Sequence, residues 1–386
     1  MAHADDDLLK FEVPEIICGI GGLSKIGCCA RRLGGEKILL VTDPGIIDAG
    51  WVDEAIEYLK KDNLKFVIYD NVVTNPRDFQ VEQGVQLYNR ENCDVLVAVG
   101  GGSPIDTAKG IGILASNHGS INEYEGCNLV RQPVPPLVCV PTTAGTGADV
   151  SQFAVVADTR KKSKMTILSR AIMPDISLID PRLLQTKPDD LMAATGMDCL
   201  THAIEAYVSS LSWPLTDPHA IHAIELVSRH LLNAVRYKDM DSLVGMSIAC
   251  LEAGIAFSNA ILGAVHALAH PVGGLYDLHH GLINSVLLPV VVGQNLEYAR
   301  EKFAIIARAF GIDTRDMSHD EAAGHVRYEI ENLIYKLGMP TRFSQMGLDP
   351  NDIPLLAELA QKDLCMLTNP YCFSLHEIES MYRAVW

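Results

Sequence analysis

Between residues 37 and 180 the chain alternates short, β-branched apolar runs with polar stretches compatible with helices. The runs are ILLV (38–41), FVIY (66–69), VLVAV (95–99), LVCV (137–140) and ISLI (176–179). A run that is apolar at every position is covered on both faces, so these segments predict parallel strands with helices on either side. FAVVA (153–157) and MTIL (165–168) flank the polar stretch DTRKKSK (158–164) and predict an antiparallel hairpin at a sheet edge.

Beyond Pro188 the strand signal stops. Segments of 3.6-residue periodicity at 189–210, 218–237, 242–259, 297–309, 318–337 and 350–362 predict helices. The apolar stretch 248–270 is long enough to span a bilayer, but it carries Glu252, Ser258, Asn259 and two histidines. Ionisable groups at bilayer depth are expensive, so it predicts a pair of buried core helices. The fold expected is an α/β domain over 1–184 followed by an all-α domain over 185–386. No Gly/Ser linker separates the two, which predicts rigid packing around a ligand-binding cleft.

Composition narrows the partners. The 386 residues carry 31 basic and 48 acidic side chains, a net charge of -17, with no basic patch or tail for nucleic acid or an anionic membrane. Ten cysteines are scattered without a C-x-x-C pair, the pattern of reduced thiols in a cytosol, and the N-terminal MAHADDDLLKFEVP lacks the basic-then-apolar order of a secretory signal. A small neutral substrate fits this balance.

Two segments carry phosphate-binding chemistry. VLVAVGGGSPIDTAK (95–109) runs a buried strand into three glycines, with Ser103 as the expected N-cap and Pro104 at the first helical position. Glycines allow close backbone approach, and a helix N-terminus offers free N–H groups to a pyrophosphate. PTTAGTGAD (141–149) follows another strand with threonine hydroxyls and two glycines. Asp43 closes the first run, where a carboxylate accepts from an adenosine ribose and repels a 2′-phosphate, favouring NAD; it equally reads as a cap before Pro44.

The metal chemistry lies in the second half. Asp198 and His202 stand four apart on one helix face, His266 and His270 repeat that spacing, and His279 and His280 follow. One carboxylate with several imidazoles suits a first-row transition ion, iron or zinc, better than magnesium or calcium. Spacing leaves open whether His266 and His270 both ligate and whether His279 or His280 does. His219, His222, His230, His319 and His325 read as ordinary structural or surface histidines.

At GGGSPIDTAKGIG (100–112), PTTAGTGAD (141–149), TGMDCLTHAIEAY (195–207) and VHALAHPVGGLYDLHHG (265–281) the sequence resembles the iron-containing, group III alcohol dehydrogenases over nearly its whole length. Within that family it is most similar to the short-chain alcohol and 1,3-propanediol dehydrogenases. The resemblance implies Fe2+ held by Asp198, His202, His266 and His280, zinc being tolerated by the same set, with His270 unliganded beside the nicotinamide. It implies NAD contacts at Asp43, Asn75, Gly101, Gly102, Ser103, Thr142, Thr143, Thr146 and Lys164. It implies a narrow apolar substrate channel of Phe153, Phe257, Leu262 and Cys365. The sequence departs from the family at Gly147-Ala148-Asp149, His279 and Tyr371.

The activity so implied is reversible hydride transfer between a primary alcohol or short diol and NAD, with the metal lowering the pKa of the alcohol oxygen and His270 relaying the proton. The same resemblance and edge strands near the N-terminus favour a homodimer or larger assembly. A zinc- and NAD-dependent polyol-phosphate dehydrogenase or lyase of the dehydroquinate-synthase kind shares this architecture. It needs basic residues for its anionic substrate, however, and 189–207 and 257–281 contain no Lys or Arg. A regulatory protein that binds nucleotide and metal without turnover is the remaining alternative.

Overall fold

The computed structural model describes residues 10–161 and 163–386. Most of the acidic N-terminal stretch and Lys162 of the hairpin turn therefore lie outside the described residues. Among the described residues there are nine strands: β1 (Glu15–Cys18), β2 (Lys37–Val41), β3 (Lys65–Tyr69), β4 (Val95–Gly100), β5 (Gly126–Cys127), β6 (Leu137–Pro141), β7 (Phe153–Asp158), β8 (Ser163–Leu168) and β9 (Ile176–Ile179). Six of them form one parallel sheet in the order β1-β9-β6-β4-β2-β3.

The apolar runs divide by parity between two cores. Leu39, Val41, Leu96, Ala98, Leu137 and Cys139 pack into one, and Ile38, Leu40, Val95, Val97, Val99, Val138, Val140, Ile176 and Leu178 pack into the other. Successive strand side chains point to opposite faces, so a strand sandwiched between helix layers must be apolar throughout. The chain leaves β2 outward to β3, then returns to β4 on the other side of β2. The connections therefore reverse between β2 and β4, where sheets of this kind open a crevice at their carboxyl ends.

β7 and β8 pair antiparallel as expected, but not at an edge of the main sheet. With β5, which pairs parallel to β8, they make a separate three-stranded sheet. At the N-terminal edge, β1 (EIIC) is too short to show a pattern of its own; its pairing with β9 makes it a strand.

The rest is helical. Asp189–Val208, Asp217–Arg236 and Met240–Ala260 pack together around the largest apolar cluster, joined by Ala264–Tyr276, His280–Asn295, Arg300–Ala309, His319–Lys336, Ile353–Gln361 and Leu375–Ala384. The segment expected at 350–362 starts with a 3-10 turn, Pro350–Asp352. The apolar stretch 248–270 is split between two helices, with Ile261 at φ 62° in the break. Met240–Ala260 has the length and apolarity to cross a membrane, and most of it is buried in the helical core.

Asp180 fastens the N-terminal segment to the sheet. Its carboxylate accepts from the backbone N–H of Gly21 (3.1 Å), Leu23 (3.2 Å) and Arg182 (3.2 Å), and from Nη2 of Arg182 at 2.7 Å. Burial pushes its pKa up, but the Arg182 guanidinium and these N–H groups outweigh it and hold the carboxyl below its ordinary value. A depressed folded-state pKa stabilises the fold above the unfolded value, near 3.9, and that contribution is lost as pH falls through the folded value. Asp180→Asn should cost about 2–4 kcal/mol at pH 7 in urea unfolding, with the gap to the parent protein closing below about pH 4. An equal gap at pH 3 and pH 7 would show that the carboxylate's charge is not what matters.

Candidate metal and nucleotide site

Four donors from three helices meet around Asp198. Ligand atoms of Asp198, His202 and His266 lie within 4.8 Å of one another, and all three residues are buried. Nε2 of His266 and Nε2 of His280 each lie 4.0 Å from the same oxygen, Oδ1 of Asp198. His280 opens the helix His280–Asn295 and is brought in by the residue after it, since a Cβ on Gly281 would sit 2.1 Å from the Ala194 carbonyl oxygen. Only glycine lets that helix approach the Asp198 helix so closely.

His270 stands outside this group. Its Nδ1 meets Oδ2 of Asp363 at 2.8 Å, and its ring stacks on His280 with centroids 5.5 Å apart. His279 is the N-cap residue of the His280 helix and lines the cavity, with its Nδ1 unpartnered. Of the alternatives that spacing left open, the structure gathers His266 and His280 on Asp198.

A further ring of side chains orients the donors. Oε2 of Glu205 meets Nδ1 of His266 at 2.5 Å, the Gly145 carbonyl meets Nδ1 of His202 at 3.1 Å, and Nδ2 of Asn284 donates to Oδ1 of Asp198 at 2.7 Å. Holding Nδ1 in this way leaves Nε2 of each imidazole free, the arrangement that metal-binding histidines use. Burial pushes Glu205 up to about 7 against the pull of the Val265 and Gly263 backbone N–H groups. Burial also drives His266 and His280 well below the usual histidine range, with neighbouring cationic or imidazole groups adding to it. Neutral imidazoles offer their lone pairs, and a set of one carboxylate and three histidines fits a first-row divalent ion. Sequence reading missed Glu205 and Asn284. The available signal for Glu205 was a carboxylate inside an apolar helix.

Above these donors opens a cavity of about 1180 Å³ that reaches back to the crevice between β2 and β4. Asp43, Asn75, Gly101, Gly102, Ser103, Thr143, Thr146 and Lys164 all line it. Thr142 does not: it is fully buried and its hydroxyl has no partner, so the contact implied for it is corrected. The family resemblance placed it with Thr143, but successive residues of an extended chain face opposite ways. The helix after β4 starts at Gly102 with Gly101 as N-cap, two residues earlier than the Ser103 cap expected. A Cβ on Gly101 would come within 3.1 Å of Thr143, and one on Gly102 within 2.9 Å of Thr146. The two loops thus touch through bare glycine backbone, leaving a cradle with free N–H groups that suits a pyrophosphate.

Asp43 is a helix cap that also lines the cavity. Its Oδ1 accepts from the Ile46 N–H at 3.1 Å as an N-cap, and the residue faces the cavity. Asn75, at φ 56°, donates to Oδ1 of Asp277 at 2.8 Å, and Arg77 pairs with Oδ2 at 2.7 Å, joining the two halves at the mouth. Burial lowers Lys164 to about 8, while the charges of Asp198, Asp277 and Asp106 pull it back up.

Phe153, Phe257, Leu262 and Cys365 also line the cavity. Phe257 stacks on His202 at 4.5 Å, and Phe153 leans on Phe257 at 5.8 Å, so the space beside the donors is apolar. Of the departures from the family pattern, Asp149 is buried beneath the loop, accepting from Oγ of Ser177 at 2.6 Å, and Tyr371 stacks on Tyr298 at 4.1 Å. Neither lines the cavity; Ala148 and His279 do. His219 and His222 both face Glu252 at the surface, in keeping with a structural reading.

Family comparison agrees with this geometry across both halves. Residues 14–181 match the iron-containing alcohol dehydrogenase family, and residues 192–386 match the family's C-terminal domain. A 1,3-propanediol dehydrogenase of Citrobacter freundii is 42% identical over 380 residues, covering 97% of this chain and 98% of its own. The NAD-dependent methanol dehydrogenase of Bacillus methanolicus is 39% identical over 374 residues, with 97% and 98% coverage. The crystal structure of a 1,3-propanediol oxidoreductase superposes with a TM-score of 0.96 at 41% identity, over 98% of this chain and 100% of that one. The alcohol dehydrogenase from Oenococcus oeni gives a TM-score of 0.96 at 36% identity with the same coverage. With one parallel sheet, one helical bundle and a donor set between them, the chain belongs to the iron-containing alcohol dehydrogenase family.

Proposed function

We propose that the cavity binds NAD along the crevice between β2 and β4 and a short primary alcohol or diol beside the Asp198 donors. The chain is an NAD-dependent oxidoreductase that interconverts alcohol and aldehyde. The observation that carries the site assignment is that the glycine loops and the donor cluster line one continuous cavity. In this reading 1–184 binds the dinucleotide and 185–386 holds the metal, through Asp198, His202, His266 and His280.

Iron at these donors supplies a Lewis acid for the substrate oxygen, and NAD supplies the hydride acceptor. The chain's own residues do the rest. Gly101, Gly102, Ser103, Thr143 and Thr146 hold the phosphates, Asp43 the adenosine ribose, and Asn75 and Lys164 the nicotinamide end. Phe153, Phe257, Leu262 and Cys365 exclude water and restrict the substrate to a slim, apolar shape, as befits relatives named for methanol and 1,3-propanediol. His270, oriented through Nδ1 by Asp363, keeps Nε2 for carrying a proton between the substrate hydroxyl and solvent.

The anionic-substrate alternative has less support. The cavity does hold two lysines absent from the ligand-flanking segments, Lys164 and Lys187, but no arginine lines it. All ten cysteines are free, which supports a reduced, cytoplasmic setting, and the β1 edge of the sheet is available to a second copy in a homo-oligomer.

The direct test is NADH formation from ethanol, 1-butanol or 1,3-propanediol with ferrous ion added; no turnover with any of them would defeat the proposal. His266→Ala and His280→Ala should each lose bound iron on desalting, measured by elemental analysis, and full retention in either rules that residue out as a ligand. His270→Gln should keep the iron yet lower kcat by about 100-fold, whereas an unchanged kcat removes the relay role. Phe153→Ala should raise kcat/KM for 1-hexanol relative to ethanol by about tenfold, and an unchanged ratio would mean that Phe153 does not bound the channel.

A further inference from the structure

Two lysines line the cavity, Lys164 toward the Asp198 donors and Lys187 at the Asp43 end, and among the described residues neither ammonium has a hydrogen-bond or ion-pair partner. Lys187 follows the turn after β9, is only 8% exposed, and lines the cavity together with Asp43, Asp48 and Thr186. Burial lowers its pKa and the Asp43 charge pulls it up; no hydrogen bond or ion pair among the described residues holds its ammonium. Two other buried or half-buried cations nearby are anchored. Lys109 donates to the carbonyls of Ser151 (2.8 Å) and Phe153 (2.6 Å), and Arg182 pairs with Asp180 (2.7 Å) and Glu54 (3.0 Å). An ammonium withdrawn from water and left without partners is costly, so its retention at a cavity wall points to a ligand.

Position decides the ligand's chemistry. Asp43 ends β2 at the reversal of strand order, where an acidic side chain takes the adenosine ribose of a dinucleotide. The pyrophosphate belongs to the glycine loops, away from this end. Neutral hydroxyls repay the burial of a strongly hydrated ammonium poorly, whereas a phosphate repays it well. The anionic group that a dinucleotide can bring to its adenosine ribose is a 2′-phosphate.

We propose that Lys187 is a second determinant of cofactor choice, set against Asp43, that gives an adenosine 2′-phosphate a partner and lets the site take NADP as well as NAD. This rests on the cavity being the dinucleotide site. Asp43 repels the extra phosphate and Lys187 attracts it, so the two substitutions act in opposite directions. Cofactor choice in this chain is then a balance rather than the exclusion that a lone Asp43 implies.

Calorimetric titration of the intact protein with ADP-ribose and 2′-phospho-ADP-ribose separates the elements, because neither ligand carries a nicotinamide and no turnover is involved. The parent protein should bind both. Lys187→Met should weaken 2′-phospho-ADP-ribose by about tenfold or more while leaving ADP-ribose within about twofold, Lys187→Arg should restore the phosphorylated ligand, and Asp43→Gly should strengthen it. If ADP-ribose binds but the ratio of the two affinities is the same in the parent and Lys187→Met, or if the parent does not take the phosphorylated ligand, the role of Lys187 is overturned. If ADP-ribose itself does not bind, the dinucleotide reading of the cavity fails and this inference fails with it.

Discussion

The donor cluster depends on keeping the carboxylate of Asp198 in a nearly dry place. The residue is 2% exposed, and it is surrounded by Asn284 donating to one oxygen and by three imidazoles within reach. A buried carboxylate survives only where hydrogen bonds and positive charge repay its lost hydration. Asn284 provides part of that; in the proposed function a divalent ion would provide the remainder. The same demand explains why Glu205 is buried behind His266, since the imidazole must present a fixed nitrogen, and why Gly281 has no side chain.

Around this point the two halves of the molecule contribute opposite properties. The helical half brings rigidity: Phe257 stacks on His202, and the Asp198, His266 and His280 helices pack closely enough for Gly281 to touch backbone. The sheet half brings unsatisfied backbone N–H groups at the end of β4, where the glycine loop meets the threonine loop after β6. Neither half alone makes a reaction chamber. The cavity exists because the crevice of the sheet opens onto the donors of the bundle, and Arg77 and Asn75 reach across to Asp277 at its mouth.

The apolar strand runs were legible because a parallel sheet covered on both sides leaves no polar position; the parity split between its two cores follows from the same constraint. Helix spacing placed Asp198 and His202 on one face, since four residues make about one turn. The family resemblance supplied His266 and His280 over their neighbours. These features are local or periodic, and the order of residues is enough to express them.

Other features are set by distance across the fold. Glu205 meets His266, Asn284 meets Asp198, and Asp363 meets His270 through contacts 61, 86 and 93 residues apart in sequence, which no periodicity reports. β1 is a strand only because β9 lies beside it, and Thr142 turns away from the cavity because the extended chain alternates its faces. In the sequence Lys187 is one lysine before a proline; its burial near Asp43, with no partner among the described residues, is a property of the assembled cavity. Sequence determined which chemistry is present, through residue type and periodic spacing. Tertiary structure decided which groups share a dry space, because desolvation and pairing depend on neighbours that only the folded chain brings together.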